Sequence, residues 1–272
     1  MNSFNQYGIT KIDISKSEQE LSIKDMQKPR IVVFFQILRR KFFKLAQLNL
    51  LHFIFNIPAF VLAEIICNAL AYYYKTNMGL NVHNWPVMFM LVVCIPAITV
   101  GPSQAGFTFV LRNFAREENA FIWYDYKQNA LKNFKQGIII SGINLLVFVG
   151  LILSISFYLS MPHKNAIVNI VVCLQSIAFV FYLMMNLYIY PMLVTFKLKT
   201  RYIYKNALIF AVTKFLTNFI VLAVCFIIAF ITMLNFFIGL MLLPFFTLSI
   251  TGFICNFHAY GTIKKYMMDP IQ

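Results

Sequence analysis

Acidic residues are scarce in this 272-residue chain. Beyond the first thirty residues only Glu64, Glu117, Glu118, Asp125 and Asp269 occur. Charged residues reach just 12% against 60% hydrophobic, whereas a soluble domain is roughly a quarter charged. That excludes an ordinary solvated surface. The five cysteines, Cys67, Cys94, Cys173, Cys225 and Cys255, all lie in apolar runs with no CxxC pair. They read as small hydrophobes, not as a disulfide framework or a zinc site. The histidines show no HExxH or comparable metal spacing. No GxxxxGK[ST] loop, SxxK pair or GxSxG elbow is present. Metal, cofactor and enzyme readings all lose their usual supports, and none is expected. The first thirty residues also lack the apolar core of a cleavable signal.

What the chain has instead is long apolar runs. A bilayer core of ~30 Å needs about 20 apolar residues in a helix. Six runs qualify: 46–73, 86–112, 137–160, 166–194, 206–234 and 237–260. They do not alternate apolar with polar, so barrel strands are excluded. The expected fold is all-α, an integral membrane six-helix bundle spanning 46–262. The net charge of +14 would suit nucleic acid, but its placement argues against that partner. All Lys and Arg except Lys75 and Lys164 fall in the N-terminal segment, the loops 112–136 and 195–214, and the C-terminus. By the positive-inside rule those segments are cytoplasmic. The expectation is therefore a multi-pass cell-membrane protein with both termini inside and the lipid bilayer as its constant partner.

Three further segments follow. Residues 1–30 read as a flexible cytoplasmic tail, and 263–272 as a cytoplasmic C-terminus. Residues 31–45, "IVVFFQILRRKFFKL", mix aromatics with Arg39, Arg40, Lys41 and Lys44, which suits a juxtamembrane amphipathic helix in the headgroup layer. Residues 121–136 place Trp123, Tyr126, Ala130 and Phe134 at helical spacing, with Asp125, Gln128, Asn129, Lys132 and Lys135 on another face. That pattern predicts a second interfacial helix. "YDYKQNAL" at 124–131 is echoed by "YIYKNAL" at 202–208. The echo fits parallel repeats or two interfacial segments built from the same chemistry.

Candidate functional residues fall in three groups. Glu64 is an ionisable group inside a span, with Asn68 four residues on; such groups mark ligand or ion paths. Gly101 and Pro102 interrupt the second run, and broken helices free backbone groups for gating or ligand binding. A packing kink is the plainer reading of the same pair. Arg112, Arg116, Glu117, Glu118 and Asp125 concentrate charge where that run ends. Adjacent Glu117 and Glu118 point to different sides of a helix, so a structural latch is expected there in preference to acid–base chemistry. Trp123, Lys127, Lys132, Lys199 and Arg201 form the expected partner surface. Asn49, His52 and Asn56 make a polar stripe in the first run, and one or two amides recur in the others. Amides in lipid usually join helices.

The stretch "IPAITVGPSQAGFTFVLRNFAREENAFIWYDYKQNALKNFKQG" resembles the signature region of the YesL-like family of Gram-positive bacterial membrane proteins, itself defined by a domain of unknown function. The features in common are a G-P-x-x-A-G turn, a basic–acidic R-x-E-E cluster, and an aromatic–acid–aromatic helix. "YIYPMLVTFKLKTRYIYKNALIF" and "IKKYMMDP" are similar to the longer members, as is the extra span at 46–73. The resemblance implies an association with carbohydrate uptake or sensing, with an ABC-type sugar transporter or sensor-kinase subunits as partners. Two functions follow as expectations. One is a non-enzymatic accessory component of such a system. The other is a small-molecule secondary transporter using Glu64 and the Gly101–Pro102 break. Either way the expressed protein should sediment with membranes and resist an alkaline carbonate wash; recovery in the soluble fraction would refute the membrane reading.

Overall fold

The computed structural model describes residues 29–57, 61, 101–159, 165–234 and 236–268. The expected tail 1–30 therefore lies outside it except at Pro29 and Arg30, as do Glu64, Asn68, Lys75, Lys164 and Asp269. The chain separates into two compact units, Met1–Arg40 and Lys41–Gln272. In the first, α1 (Arg30–Arg40) is amphipathic and ends on Arg39 and Arg40. Its opening turn closes by Val32 N–H donating to the Pro29 carbonyl at 2.9 Å. The expected juxtamembrane helix 31–45 thus stops at Arg40, and Lys41 forms a turn.

The second unit has only helices as its described regular elements. It comprises α2 (Phe42–Ile57), α3 (Gly101–Ala115), α4 (Ile122–Lys132), α5 (Phe134–Leu159), α6 (Ala166–Thr195), α7 (Thr200–Thr213), α8 (Phe215–Met233), α9 (Phe236–Leu242) and α10 (Leu248–Ile263). Wider π turns at Leu243–Thr247 and Lys264–Met268 precede and follow α10. Helix α3 packs on α4, α5, α6 and α10. It gets close because its glycines remove side chains where backbones meet. A Cβ on Gly101 would overlap the Gly137 carbonyl of α5, and one on Gly106 would overlap the Tyr126 carbonyl of α4. Beside α3, Tyr188, Ile189 and Met192 of α6 form a dry core with Ile140, Ile203 and Ala259.

Three helices, Phe134–Leu159, Ala166–Thr195 and Phe215–Thr232, are long and apolar enough to cross a membrane. Leu146, Ile167, Leu216 and Phe226 stand exposed along them, as lipid-facing positions would. The chain reads as a membrane protein on this evidence. The other expected runs take different forms. Runs 46–73 and 86–112 are described only in part. Run 206–234 is divided by a turn at Lys214, and run 237–260 by the π turn.

Three helix breaks are closed by asparagines. At the turn between α4 and α5, Asn133 Nδ2 donates to the Asn129 carbonyl at 3.0 Å. At the turn between α7 and α8, Asn218 Nδ2 donates to the Phe210 carbonyl at 3.0 Å. Asn218 Oδ1 then accepts from Tyr188 at 2.6 Å and from His258 Nε2 at 2.8 Å. His258 is half-buried and is held by these partners. The break at Pro244 is served from α2: Asn49 Nδ2 donates to the Leu243 carbonyl at 2.7 Å, and Asn49 Oδ1 accepts from Ser249 N–H at 2.6 Å. Proline has no N–H to give, and the π turn shifts the helical pairing around it. One fully buried amide bonds a backbone group on each side of the break. Asn49→Leu removes both hydrogen bonds, at a cost of about 2 kcal/mol. A clear drop in the melting temperature of the purified protein is the expected result; an unchanged melting temperature would show that the π turn does not depend on Asn49.

Candidate functional site

The charged corner at the end of α3 is a helix stop built with the wrong residue for ease. Glu118 N–H donates to the Asn113 carbonyl at 2.9 Å, and Glu117 N–H to the Phe114 carbonyl at 3.1 Å. Glu117 itself sits at φ 60°. This is the Schellman closure, whose left-handed position normally holds glycine. Lys41 Nζ donates to the Glu118 carbonyl at 3.0 Å, which puts a cation at the negative end of the helix. Of the expected latch, the structure brings Arg116 to Glu118 at 3.4 Å, in a half-exposed pair worth little. Arg112 turns instead to the Val194 carbonyl at 2.8 Å and lies 4.4 Å above the Phe109 ring. Asp125 accepts from Phe121 N–H at 2.8 Å and so closes the first turn of its own helix.

The remaining predicted residues separate. Gly101 and Pro102 open the described part of α3, where Gly101 serves the close approach to Gly137. Residues 86–100 lie outside the described chain, so the run they were expected to break is seen from one side only. Lys132 and Lys199 line one groove. Lys127 and Arg201 are exposed outside it. Trp123 lies tilted against Phe55, ring centroids 6.1 Å apart. The sequence echo coincides with a repeated form: α4 turns at Asn133 into α5, and α7 turns at Lys214 into α8. The matching tyrosines both reach buried polar groups, Tyr126 to His52 and Tyr204 to Asn144 Oδ1 at 2.9 Å.

The most developed site is one that the sequence pattern left as helix glue. A cavity of about 380 Å³ lies between α2, α3, α6, α8 and α10, within the ~300–1,000 Å³ usual for small-molecule sites. Leu183, Leu187 and Phe107 give it apolar walls, while Asn56, Gln104, Thr108, Asn186, Tyr190 and Asn256 bring polar groups. No charged side chain lines it among the described residues. Among the described residues, three buried oxygens of its lining side chains have no hydrogen-bond partner: Asn56 Oδ1, Asn256 Oδ1 and Tyr190 Oη. The amide orientations are forced. Asn56 Nδ2 donates to the His52 carbonyl at 2.7 Å, and Asn256 Nδ2 to the Gly252 carbonyl at 2.8 Å. Flipping either would set oxygen against oxygen. Each amide therefore keeps an acceptor, and Tyr190 adds a hydroxyl that gives or takes.

His52 forms the wall between this cavity and α4. Its ring stacks on Phe107 with centroids 4.1 Å apart. Nδ1 lies 3.0 Å from the Tyr126 hydroxyl and 3.3 Å from Ser103 Oγ. Tyr126 and Ser103 also bond to each other. Burial pushes the Tyr126 phenol well above its usual range, so it stays a proton donor at all physiological pH. Ser103 lies behind the imidazole and is not among the cavity-lining residues. Asn49, His52 and Asn56 were visible as one helical stripe; the positions of their partners on α3, α4 and α10 were not.

Residues 45–157 match the family model described as "Protein of unknown function, DUF624". This supports the resemblance to an uncharacterised-domain family, to which the YesL-like proteins belong. The match takes in α3, α4 and most of α5, along with the α2 part of the cavity. No curated protein and no solved structure matches the chain.

The Schellman corner gives a direct test. Glu117→Gly removes a left-handed strain of about 1 kcal/mol and should hold or raise the melting temperature. Glu117→Val, β-branched at the same φ, should lower it. Equal melting temperatures for the two variants would show that the corner carries no strain.

Proposed function

We propose that this protein is a non-enzymatic membrane component that binds a small, neutral, hydroxyl-bearing molecule in the cavity between its helices. One observation carries the reading: among the described residues, three side chains lining an uncharged space hold buried oxygens without partners, two of them amide acceptors of fixed orientation. A buried polar group without a partner is costly. A ligand that donates hydrogen bonds without bringing charge relieves that cost. Carboxylates and phosphates would meet acceptors, and a cation would find no counter-charge. A carbohydrate or other polyol fits all three oxygens and has an apolar face for Phe107 and the leucines.

That chemistry agrees with an accessory role in carbohydrate uptake or sensing, with the chain in the longer, Gram-positive subgroup of its family. In this reading the protein sits in the cell membrane as a six-span bundle with both termini in the cytoplasm. The segments 113–136 and 195–205 then face an ABC-type sugar transporter or sensor-kinase subunits, through Trp123, Lys127, Lys132, Lys199 and Arg201. A carrier would use the same cavity, with Glu64 and the Gly101–Pro102 segment as its gate.

The test is binding by the full chain in nanodiscs, titrated with neutral monosaccharides and polyols. Tyr190→Phe removes a buried hydroxyl that has no partner, so the empty protein should be as stable as before or more so. Its affinity for a hydroxylic ligand should fall about tenfold, the loss of one good hydrogen bond. If no neutral hydroxylic compound binds, or Tyr190→Phe binds equally well, the cavity holds only water and the proposal fails. Uptake into proteoliposomes by the purified protein alone would identify a carrier; co-purification with permease or kinase subunits would identify an accessory component.

A further inference from the structure

The second concave site has the opposite electrostatic character. A groove of about 430 Å³ is walled by the end of α4 and the start of α5 on one side and by residues 193–199 on the other. Lys132 comes from the first wall, and Lys197 and Lys199 from the second. All three are exposed, and no acid lines the groove among the described residues. Long side chains of like charge ordinarily spread over a surface. Here they converge on one concavity, from segments that share no sequence neighbourhood.

The groove's frame is fixed. Gln136 Nε2 donates to the Leu198 carbonyl at 2.9 Å. Arg112 holds the Val194 carbonyl at 2.8 Å, and Phe196 N–H bonds the Met192 carbonyl at 2.9 Å. The extended segment between α6 and α7 is therefore tied down from α3, α5 and its own helix. The amides along the groove are oriented in the same way as those of the cavity. Asn129, Asn133 and Gln136 each commit their NH₂ to a backbone carbonyl, which leaves their oxygens as acceptors. The groove thus offers three ammonium donors beside a row of neutral acceptors.

We propose that this groove binds a phosphate ester that also carries free hydroxyls. The phosphate would lie among Lys132, Lys197 and Lys199, and the hydroxyls would donate to the amide oxygens. A phosphoglycerol headgroup of an anionic lipid has both features, and so does a soluble polyol phosphate. The lipid source suits a groove on segments that the proposed topology places at the cytoplasmic surface, where anionic headgroups gather basic residues. The proposal rests on different residues from the neutral cavity and stands whether or not that cavity binds a ligand.

The experiment uses the full chain purified in neutral phosphatidylcholine nanodiscs. Lipid retention is measured by native mass spectrometry and thermal stability by scanning, with phosphatidylglycerol doped in or with glycerol phosphate added in solution. Lys132→Gln/Lys197→Gln/Lys199→Gln removes the groove's charge. Lys44→Gln/Lys205→Gln/Lys264→Gln removes the same charge from exposed positions outside the groove and controls for bulk attraction. The groove variant should retain phosphatidylglycerol about tenfold less well than wild type, while the control stays near wild type. Retention of phosphatidylglycerol assigns the lipid source. A response to glycerol phosphate without lipid selectivity assigns the soluble one. Equal losses in both variants, or no response to either ligand, would overturn the proposal and leave the lysines as a solvated face.

Discussion

Inside an apolar bundle every polar group must find its partner within the protein, because no solvent is there to supply one. The organisation of this protein follows from that constraint. Proline at 244 and the turns at Asn133 and Lys214 leave backbone groups without their usual helical partners. Asparagine meets the need each time because one side chain offers a donor and an acceptor. Asn49 uses both ends at once, bridging Leu243 and Ser249 from another helix. Asn218 caps the carbonyl of Phe210 while gathering Tyr188 and His258. These amides set where helices break as well as which helices touch.

The same constraint makes its exceptions informative. Asn56 and Asn256 obey it on the donor side and fail it on the acceptor side, and both failures border one uncharged cavity. Tyr190 joins them from α6. Of the six such side-chain atoms among the described residues, Asn56 Oδ1, Asn256 Oδ1 and Tyr190 Oη belong to residues that line this cavity, while Gln175 Oε1, Thr247 Oγ1 and Ser249 Oγ do not. The first three are the polar half of the binding site proposed above, whose apolar half is Phe107 and leucine. The basic groove separates from this cavity in charge and exposure, so two chemically different sites lie on one helical frame. Arg112 and Gln136 contribute by pinning the segment that carries Lys197 and Lys199.

Much of the frame was legible in the sequence. Apolar length marked α5, α6 and α8, and the amphipathic pattern marked α4. Period alone could not foresee the break at Lys214 or the π turn at 243–247. Lysine inside an apolar run does not stop a helix by itself; here Asn218, bonded across to Tyr188 and His258, stabilises the turn. The charge cluster at 112–125 invited a network of pairs. The structure separates it because backbone carbonyls at Val194 and the N–H of Phe121 lie closer to Arg112 and Asp125 than their opposite charges do. Gly101 drew attention as a break, and the backbone of Gly137 explains it as a contact.

Composition and charge placement by themselves determined that this chain is helical, apolar and basic at its turns. Those properties depend on local quantities: the length of an apolar run, its period, and which residues flank it. Only the tertiary structure decided where function is carried. The cavity draws on α2, α3, α6, α8 and α10, and the groove joins residues some sixty positions apart. An asparagine reads as helix glue until its neighbours are known. Which of its two ends remains free depends on the carbonyl that the fold brings within reach of its nitrogen.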